Sequence, residues 1–122
     1  MKALTFLKIT TILNVLVATG FSVAGMLSPF LILPANVTAD KAITIFALYA
    51  GARTIPMVIL TIMSVFSKPW NAFITLAVLA GVIQFLDGFI GIYQHQLSKT
   101  AGPFVIAIIQ FIAIYLAVRN ND

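Results

Sequence analysis

The chain has 122 residues, of which 61% are hydrophobic and 8% are charged, and it carries a formal net charge of +4. Because a soluble globular domain has about 25% charged residues, this composition excludes a water-covered surface on all sides and predicts an integral membrane protein. The sequence contains no cysteine, which excludes disulfide bonds and thiol-ligated metal clusters within the chain.

Four long apolar runs predict four membrane-spanning helices, and together they occupy most of the chain. A span needs about 20 apolar residues to cross the hydrocarbon layer, and the connections between these runs are short. Helices joined by short links pack as antiparallel neighbours. The sequence therefore predicts one all-α domain over residues 1–122, an integral membrane four-helix bundle with spans at about 4–27, 42–66, 72–93 and 103–118.

The first span and the loop after it are expected to form a retained helix and a cover for one end of the bundle. The apolar run is longer than the core of a secretory signal peptide, which favours a helix that stays in the membrane. Asn14 falls near the middle of this helix and predicts a polar contact with a neighbouring helix. Pro29 and Pro34 interrupt the helical pattern, and residues 30–33 between them are expected to dip into the membrane interface or fold over the bundle.

The second and third spans each carry a charge in an apolar setting, Arg53 and Asp87. A lone charge at the centre of a membrane helix costs about 2.5–3.5 kcal/mol on insertion scales, so the two side chains are expected to meet. Because the link between these spans is short, the helices are expected to be adjacent. The sequence predicts a buried Arg53–Asp87 ion pair, which either locks the helices together or forms a site.

Further polar residues are expected around this pair. Gln84 shares a helical face with Asp87, and the fourth span, which is expected to begin at Pro103, contributes Gln110. For the two glutamines, hydrogen bonding between helices is the structural alternative to ligand binding. A polar interior with a pocket that opens outward is therefore predicted from the candidate residues Arg53, Asp87, Gln84, Tyr49 and Gln110.

No catalytic residue and no metal site is predicted. The sequence has a single histidine, His95, and it falls in the third loop, where an ordinary loop role is favoured over metal ligation. The remaining candidates for acid–base chemistry are Asp87, Tyr49 and Tyr115. An enzyme is therefore the least favoured class of function.

The basic residues predict the orientation of the chain in a cell membrane. They are scattered at the helix ends and form no patch, which favours contact with anionic lipid headgroups over nucleic-acid binding. Counting lysine and arginine near the ends of the spans favours both termini in the cytoplasm. Lys2, Lys8, Lys68 and Arg119 stand on the predicted cytoplasmic side, against Lys41 and Lys99 on the other.

Two segments resemble the DoxX-like group of small four-helix integral membrane proteins. They are residues 51–53, Gly-Ala-Arg, and residues 84–88, Gln-Phe-Leu-Asp-Gly. In that group an arginine after a glycine is followed, in the next helix, by an aspartate. The resemblance covers about residues 45–118, and the chain departs from the group at Thr54, where many members are acidic, and around Pro103, where a histidine is expected. It implies the fold and the Arg–Asp pair. No cofactor is predicted, and the one that the resemblance leaves open is a quinone.

These observations leave two main hypotheses of function. The first is an accessory or binding subunit that holds an apolar, lipid-like or quinone-like molecule, or a membrane protein partner, around Arg53 and Asp87; the partner includes a second copy of the chain. The alternative is a small proton-coupled exporter of the multidrug type. Such an exporter needs a carboxylate that is free to exchange protons, and Asp87 is the only acidic residue within a predicted span.

Overall fold

The computed structural model describes residues 2–38 and 40–120, which form four long α-helices and no strand. The helices have 24 to 26 residues each, or about 36–39 Å at 1.5 Å per residue. All four are long and apolar enough to cross a membrane. The predicted all-α four-helix bundle is confirmed. The helices are α1 (Lys2–Leu27), α2 (Lys41–Val65), α3 (Trp70–Tyr93) and α4 (Leu97–Asn120), with a short 3-10 helix at Pro29–Leu31.

The two ends of the bundle differ in what connects the helices. The first residues of α1, the last residues of α4 and the short link between α2 and α3 belong to one end, which we call the terminal end. The long first loop, residues 28–40, and the turn between α3 and α4 belong to the opposite end, which we call the loop end.

The helices do not pack equally against their neighbours in the sequence. The α3–α4 interface is the most extensive, α1 packs on both α2 and α4, and α2 has little contact with α3. The expected adjacency of α2 and α3 is present, but the contact between these two helices is sparse. The reason is the glycine-rich face of α3, which α4 covers: a methyl group on Gly88 would lie 2.7 Å from the ring of Phe104, and one on Gly81 would lie 3.0 Å from the ring of Phe111.

A tight turn joins α3 to α4 and explains why α4 begins six residues before the predicted start. His95 has a φ of 55°, its amide donates to the Ile92 carbonyl and the Gln96 amide donates to the Gly91 carbonyl. These bonds form the Schellman motif that ends many helices. The motif leads directly into Leu97 at the start of α4. His95 thus has a backbone role in a turn, as expected for a loop residue.

Pro103 lies inside α4 instead of at its start. Proline has no amide hydrogen, so the carbonyl four residues earlier, that of Lys99, receives no helical hydrogen bond from it. This carbonyl lies against Gly91 of α3, at a spot that a Cβ atom on residue 91 would occupy. A weak Cα–H···O contact of the kind found between closely packed helices suits this arrangement.

The first loop folds back over the loop end of the bundle, as one of the two predicted alternatives for residues 30–33 requires. A methyl group on Gly25 of α1 would lie 2.8 Å from the side chain of Ile32, so this loop residue packs tightly on α1. The Lys99 ammonium group of α4 donates to the Ile32 carbonyl. The loop ends at Asp40, whose carboxylate accepts a hydrogen bond of 2.9 Å from the Ile43 amide and caps α2.

The interior is built from small side chains, whereas the large apolar side chains point outward. One core cluster, nearer the terminal end, contains Leu7, Val65, Phe73, Ala77, Ala113 and Ala117. A second contains Val15, Val58 and Ala80. Phe46 and Tyr93, by contrast, are 74% and 86% exposed. Small residues between helices and large apolar residues outside are the arrangement expected for helices that pack within lipid.

Candidate functional site

The polar centre of the bundle is a hydrogen-bonded amide network that joins α1, α3 and α4. The Gln84 side-chain amide donates to Asn14 Oδ1 at 2.9 Å, and the Asn14 amide donates to Gln110 Oε1 at 3.4 Å. The Gln110 amide donates to Thr11 Oγ1 at 2.8 Å and to the Ala77 carbonyl at 3.3 Å. Asn14, Gln84, Gln110 and Thr11 are all at least 97% buried. We call these four side chains the amide network.

Each of the four side chains in the amide network forms a hydrogen bond with at least one other member. Among the described residues, no buried side-chain nitrogen or oxygen atom lacks a hydrogen-bond partner. Because Asn, Gln and Thr side chains that hydrogen-bond across membrane helices stabilise their association, this network links α1, α3 and α4 to one another. Gln84 and Gln110 therefore make the interhelical hydrogen bonds that were the structural alternative to ligand binding, and Asn14 makes the expected contact with other helices.

Sequence reasoning did not select Thr11 as a member of this site. A threonine in an apolar helix usually bonds the carbonyl one turn earlier in its own helix, so its presence alone signals little. In retrospect its spacing from Asn14, three residues along α1, places both side chains on one helical face. That shared polar face was the available signal.

Arg53 lies on the exposed side of α2, so its predicted burial is wrong. Its guanidinium carbon Cζ lies 5.9 Å from the centre of the Tyr49 ring, one turn away on the same face, in a cation–π contact. Tyr49 is itself 59% exposed. The buried side of α2 is formed instead by Gly51, Val58, Thr61 and Val65.

Asp87 is half-buried on α3. It shares the face of Gln84, Gly88 and Gly91, as predicted, but those three residues are fully buried. Within residues 2–38 and 40–120, no ion pair joins Asp87 to Arg53. The physical reason is the packing described above. Because α2 packs mainly against α1, Arg53 lies on the side of α2 that faces away from the interior of the bundle.

The structure separates the five candidate residues: Gln84 and Gln110 are buried at the centre of the bundle, Asp87 is half-buried, and Arg53 and Tyr49 are exposed on α2. A groove of about 290 Å³ lies between the second half of α1 and the first loop, and apolar residues line it. Phe85 and Phe89 pack edge-to-face on each other and on Phe104, with ring centres 5.2 to 5.6 Å apart. The lining of the groove consists of Val17, Gly20, Phe21, Ala24, Leu31 and Ile32.

The described residues include no group of three histidine, aspartate or glutamate side chains that could hold a metal ion.

The fold and the distribution of apolar side chains define the class of protein: a small α-helical membrane protein with four candidate spans. Comparison with protein-family models, with curated proteins and with solved structures gave no match. The resemblance to the DoxX-like group stays a prediction from the residues that carry it.

Proposed function

We propose that this chain is an accessory or binding subunit of a cell membrane, and that it docks a partner within the bilayer through the exposed face of α2 around Arg53. Both termini then face the cytoplasm, an orientation supported by the excess of basic residues near the terminal end. The binding role is the one expected from the sequence, but its site lies on the surface of the bundle instead of in its interior.

The observation that carries this proposal is the exposure of Arg53 within an apolar span. The helix that bears it, α2, has the smallest buried share of the four spans. A guanidinium that faces lipid this far from the helix ends costs about 2.5–3.5 kcal/mol or more, and the cation–π contact with Tyr49 offsets about 1 kcal/mol of that cost. A partner that places a hydrogen-bond acceptor or a carboxylate next to Arg53 would offset the remaining free-energy cost.

A partner in the membrane is better supported than a small ligand held inside the bundle. The amide groups of Gln84 and Gln110 are occupied by hydrogen bonds to other residues of the bundle. A lipid-like or quinone-like molecule at these residues would have to break those bonds. The face around Arg53, in contrast, is available without any change in the packing of the helices.

A photo-crosslinking amino acid placed at Phe46, on the exposed face of α2, is expected to give a discrete protein adduct in native membranes. The same group at Ile108, 59% exposed on α4, is the matched control and is expected to give none. The adduct should weaken at least fivefold in Arg53→Gln, which removes the charge. It should weaken less in Arg53→Lys, which keeps the charge and loses the planar guanidinium. Gel mobility and mass spectrometry measure the yield and mass of the adduct.

The masses separate the possible partners. An adduct of twice the mass of the chain identifies a second copy, and any other discrete mass identifies a different membrane protein. Equal adducts from Phe46 and Ile108, or an adduct that Arg53→Gln leaves unchanged, would contradict docking on α2.

A proton-coupled exporter is the second candidate, because Asp87 is half-buried in α3 and has no ion-pair partner among the described residues. A carboxylate in this position is free to bind and release a proton. If the chain is an exporter, proteoliposomes with an imposed pH gradient should take up ethidium, and Asp87→Asn should abolish that uptake. Asp40→Asn, which alters the exposed N-cap of α2, is the matched control. Gradient-independent uptake that is equal in wild type and Asp87→Asn would exclude this function.

A further inference from the structure

We infer that the partner docked on α2 is a second copy of this chain, and that Arg53 of each copy pairs with Asp87 of the other. This inference rests on the proposed function and names its partner. Three observations carry it: the complementary charges, their depth in the bundle, and the shape of the free face of α2.

The charges of the two residues complement each other within one sequence. Arg53 is exposed on α2, Asp87 is half-buried on α3, and they form no ion pair with each other in the structure of residues 2–38 and 40–120. Two copies related by a two-fold axis present the same surface to each other, so residue i meets residue j and residue j meets residue i. Such a pair of copies forms two identical ion pairs and leaves neither charge facing lipid.

The depths of the two residues match closely. Val58 of α2 and Ala80 of α3 pack in the same core cluster and therefore mark one level of the bundle. From that level, Arg53 lies about 7.5 Å and Asp87 about 10.5 Å toward the loop end, at 1.5 Å per residue. Copies that insert in the same direction keep these depths, so the offset across a two-fold interface is about 3 Å, which an arginine side chain covers.

The free face of α2 has the spacing of a helix-packing seam. Phe46, Tyr49 and Arg53 recur at intervals of three and four residues, and Pro56, Leu60 and Met63 continue the series. All six are exposed. Alternating intervals of three and four residues are those of the a and d positions by which helices pack side by side. We call these six residues the α2 stripe.

A charge-exchange experiment in vesicles tests this pairing. The chain has no cysteine, so Asn36→Cys, in the exposed first loop, gives one labelling site for a donor or an acceptor dye. Energy transfer between labelled copies in phosphatidylcholine vesicles, measured as the protein-to-lipid ratio is varied, gives the association constant. Wild type is expected to associate, and Arg53→Asp or Asp87→Arg alone should lower the association constant at least tenfold.

Mixing the two single variants is the decisive measurement. An Arg53→Asp copy facing an Asp87→Arg copy regains both opposite-charge contacts, so the mixture should associate within about threefold of wild type. Pairing within one chain cannot produce this rescue, because each single variant then holds two like charges. Lys68→Asp, a charge reversal in the link between α2 and α3, is the control and should leave association unchanged.

Two results would overturn the inference: no energy transfer for wild type at any ratio, or no rescue in the mixture. If either single variant fails to fold, as judged by circular dichroism, the neutral pair Arg53→Gln and Asp87→Asn replaces it. Arg53→Gln and Asp87→Asn should then lower the association constant by similar factors. An association constant that neither variant changes would overturn the inference. A monomeric wild type that still gives an Arg53-dependent adduct of another mass in native membranes would refute the second copy as the partner and leave docking on α2 standing.

Discussion

Gly91→Ala is expected to destabilise the bundle by about 3 kcal/mol, at the upper end of the range for overpacked interiors. A Cβ atom at this position would overlap the Lys99 carbonyl group and lie 2.6 Å from the Thr100 amide nitrogen. Both neighbours are backbone atoms of α4 in a turn fixed by hydrogen bonds, so neither can rotate away as a side chain would. The free energy of unfolding, measured by SDS titration in mixed micelles, reports the loss.

Gly20→Ala is the matched control for this prediction. Gly20 also lies inside a spanning helix, but a Cβ atom there would meet nothing within 4 Å. Alanine is favoured over glycine within a helix by about 0.5–1 kcal/mol, so this variant should be slightly more stable than wild type. Equal changes for the two variants would contradict the close α3–α4 contact at Gly91.

Gln110→Leu is expected to lower the free energy of unfolding by about 3 kcal/mol, because it removes three hydrogen bonds worth about 1 kcal/mol each. Leucine has a similar size, so the loss comes from polar contacts and not from an empty space. The Thr11 hydroxyl, the Asn14 amide and the Ala77 carbonyl each lose a partner in the buried interior. The same SDS titration measures the change.

The control for Gln110→Leu is Gln96→Leu, at the turn between α3 and α4. Only the backbone of Gln96 forms hydrogen bonds with the described residues, so its side chain should be dispensable to within about 0.5 kcal/mol. If Gln110→Leu is as stable as Gln96→Leu, the amide network does not hold the helices together.

The number of helices and the polar face of α3 could be predicted from the sequence because both follow from local spacing. Apolar runs of about 20 residues identify spans. Gly81, Gln84, Gly88 and Gly91 recur at three- and four-residue intervals, which places them on one face of any helix. These features depend on helical geometry alone, whatever the neighbouring helices are.

The position of Arg53 could not be predicted in the same way, because a short link makes two helices neighbours without fixing which faces meet. The relevant signal lay within α2. Gly51, Val58 and Val65 recur at seven-residue intervals and form its buried face. Arg53 follows Gly51 by two residues, a rotation of about 200° around a helix with 3.6 residues per turn. The buried face of α2 therefore places the guanidinium on the opposite side of the helix.

The amide network was only partly predictable for a related reason. Asn14, Gln84 and Gln110 each stand out as amides in apolar spans, and each was expected to contact another helix. Their meeting point depends on how α1, α3 and α4 are aligned along the bundle axis, and the turn at His95 and the close contact at Gly91 set this alignment only between α3 and α4. That alignment belongs to the tertiary structure and leaves no trace in the local pattern.

Because the four helices pack unequally, the bundle consists of two units that should unfold separately: α1, α3 and α4 together, and α2 alone. Helices α1, α3 and α4 share the amide network, and α4 also holds the first loop through Lys99. Helix α2 contributes no side chain to that network and packs mainly against α1. Segments with few buried contacts open at a lower free energy than the rest of a protein. In amide hydrogen exchange, the amides of α2 should therefore exchange at a lower opening free energy than those of α1, α3 and α4. Helix α2 would then detach from the bundle while the other three helices stay packed together.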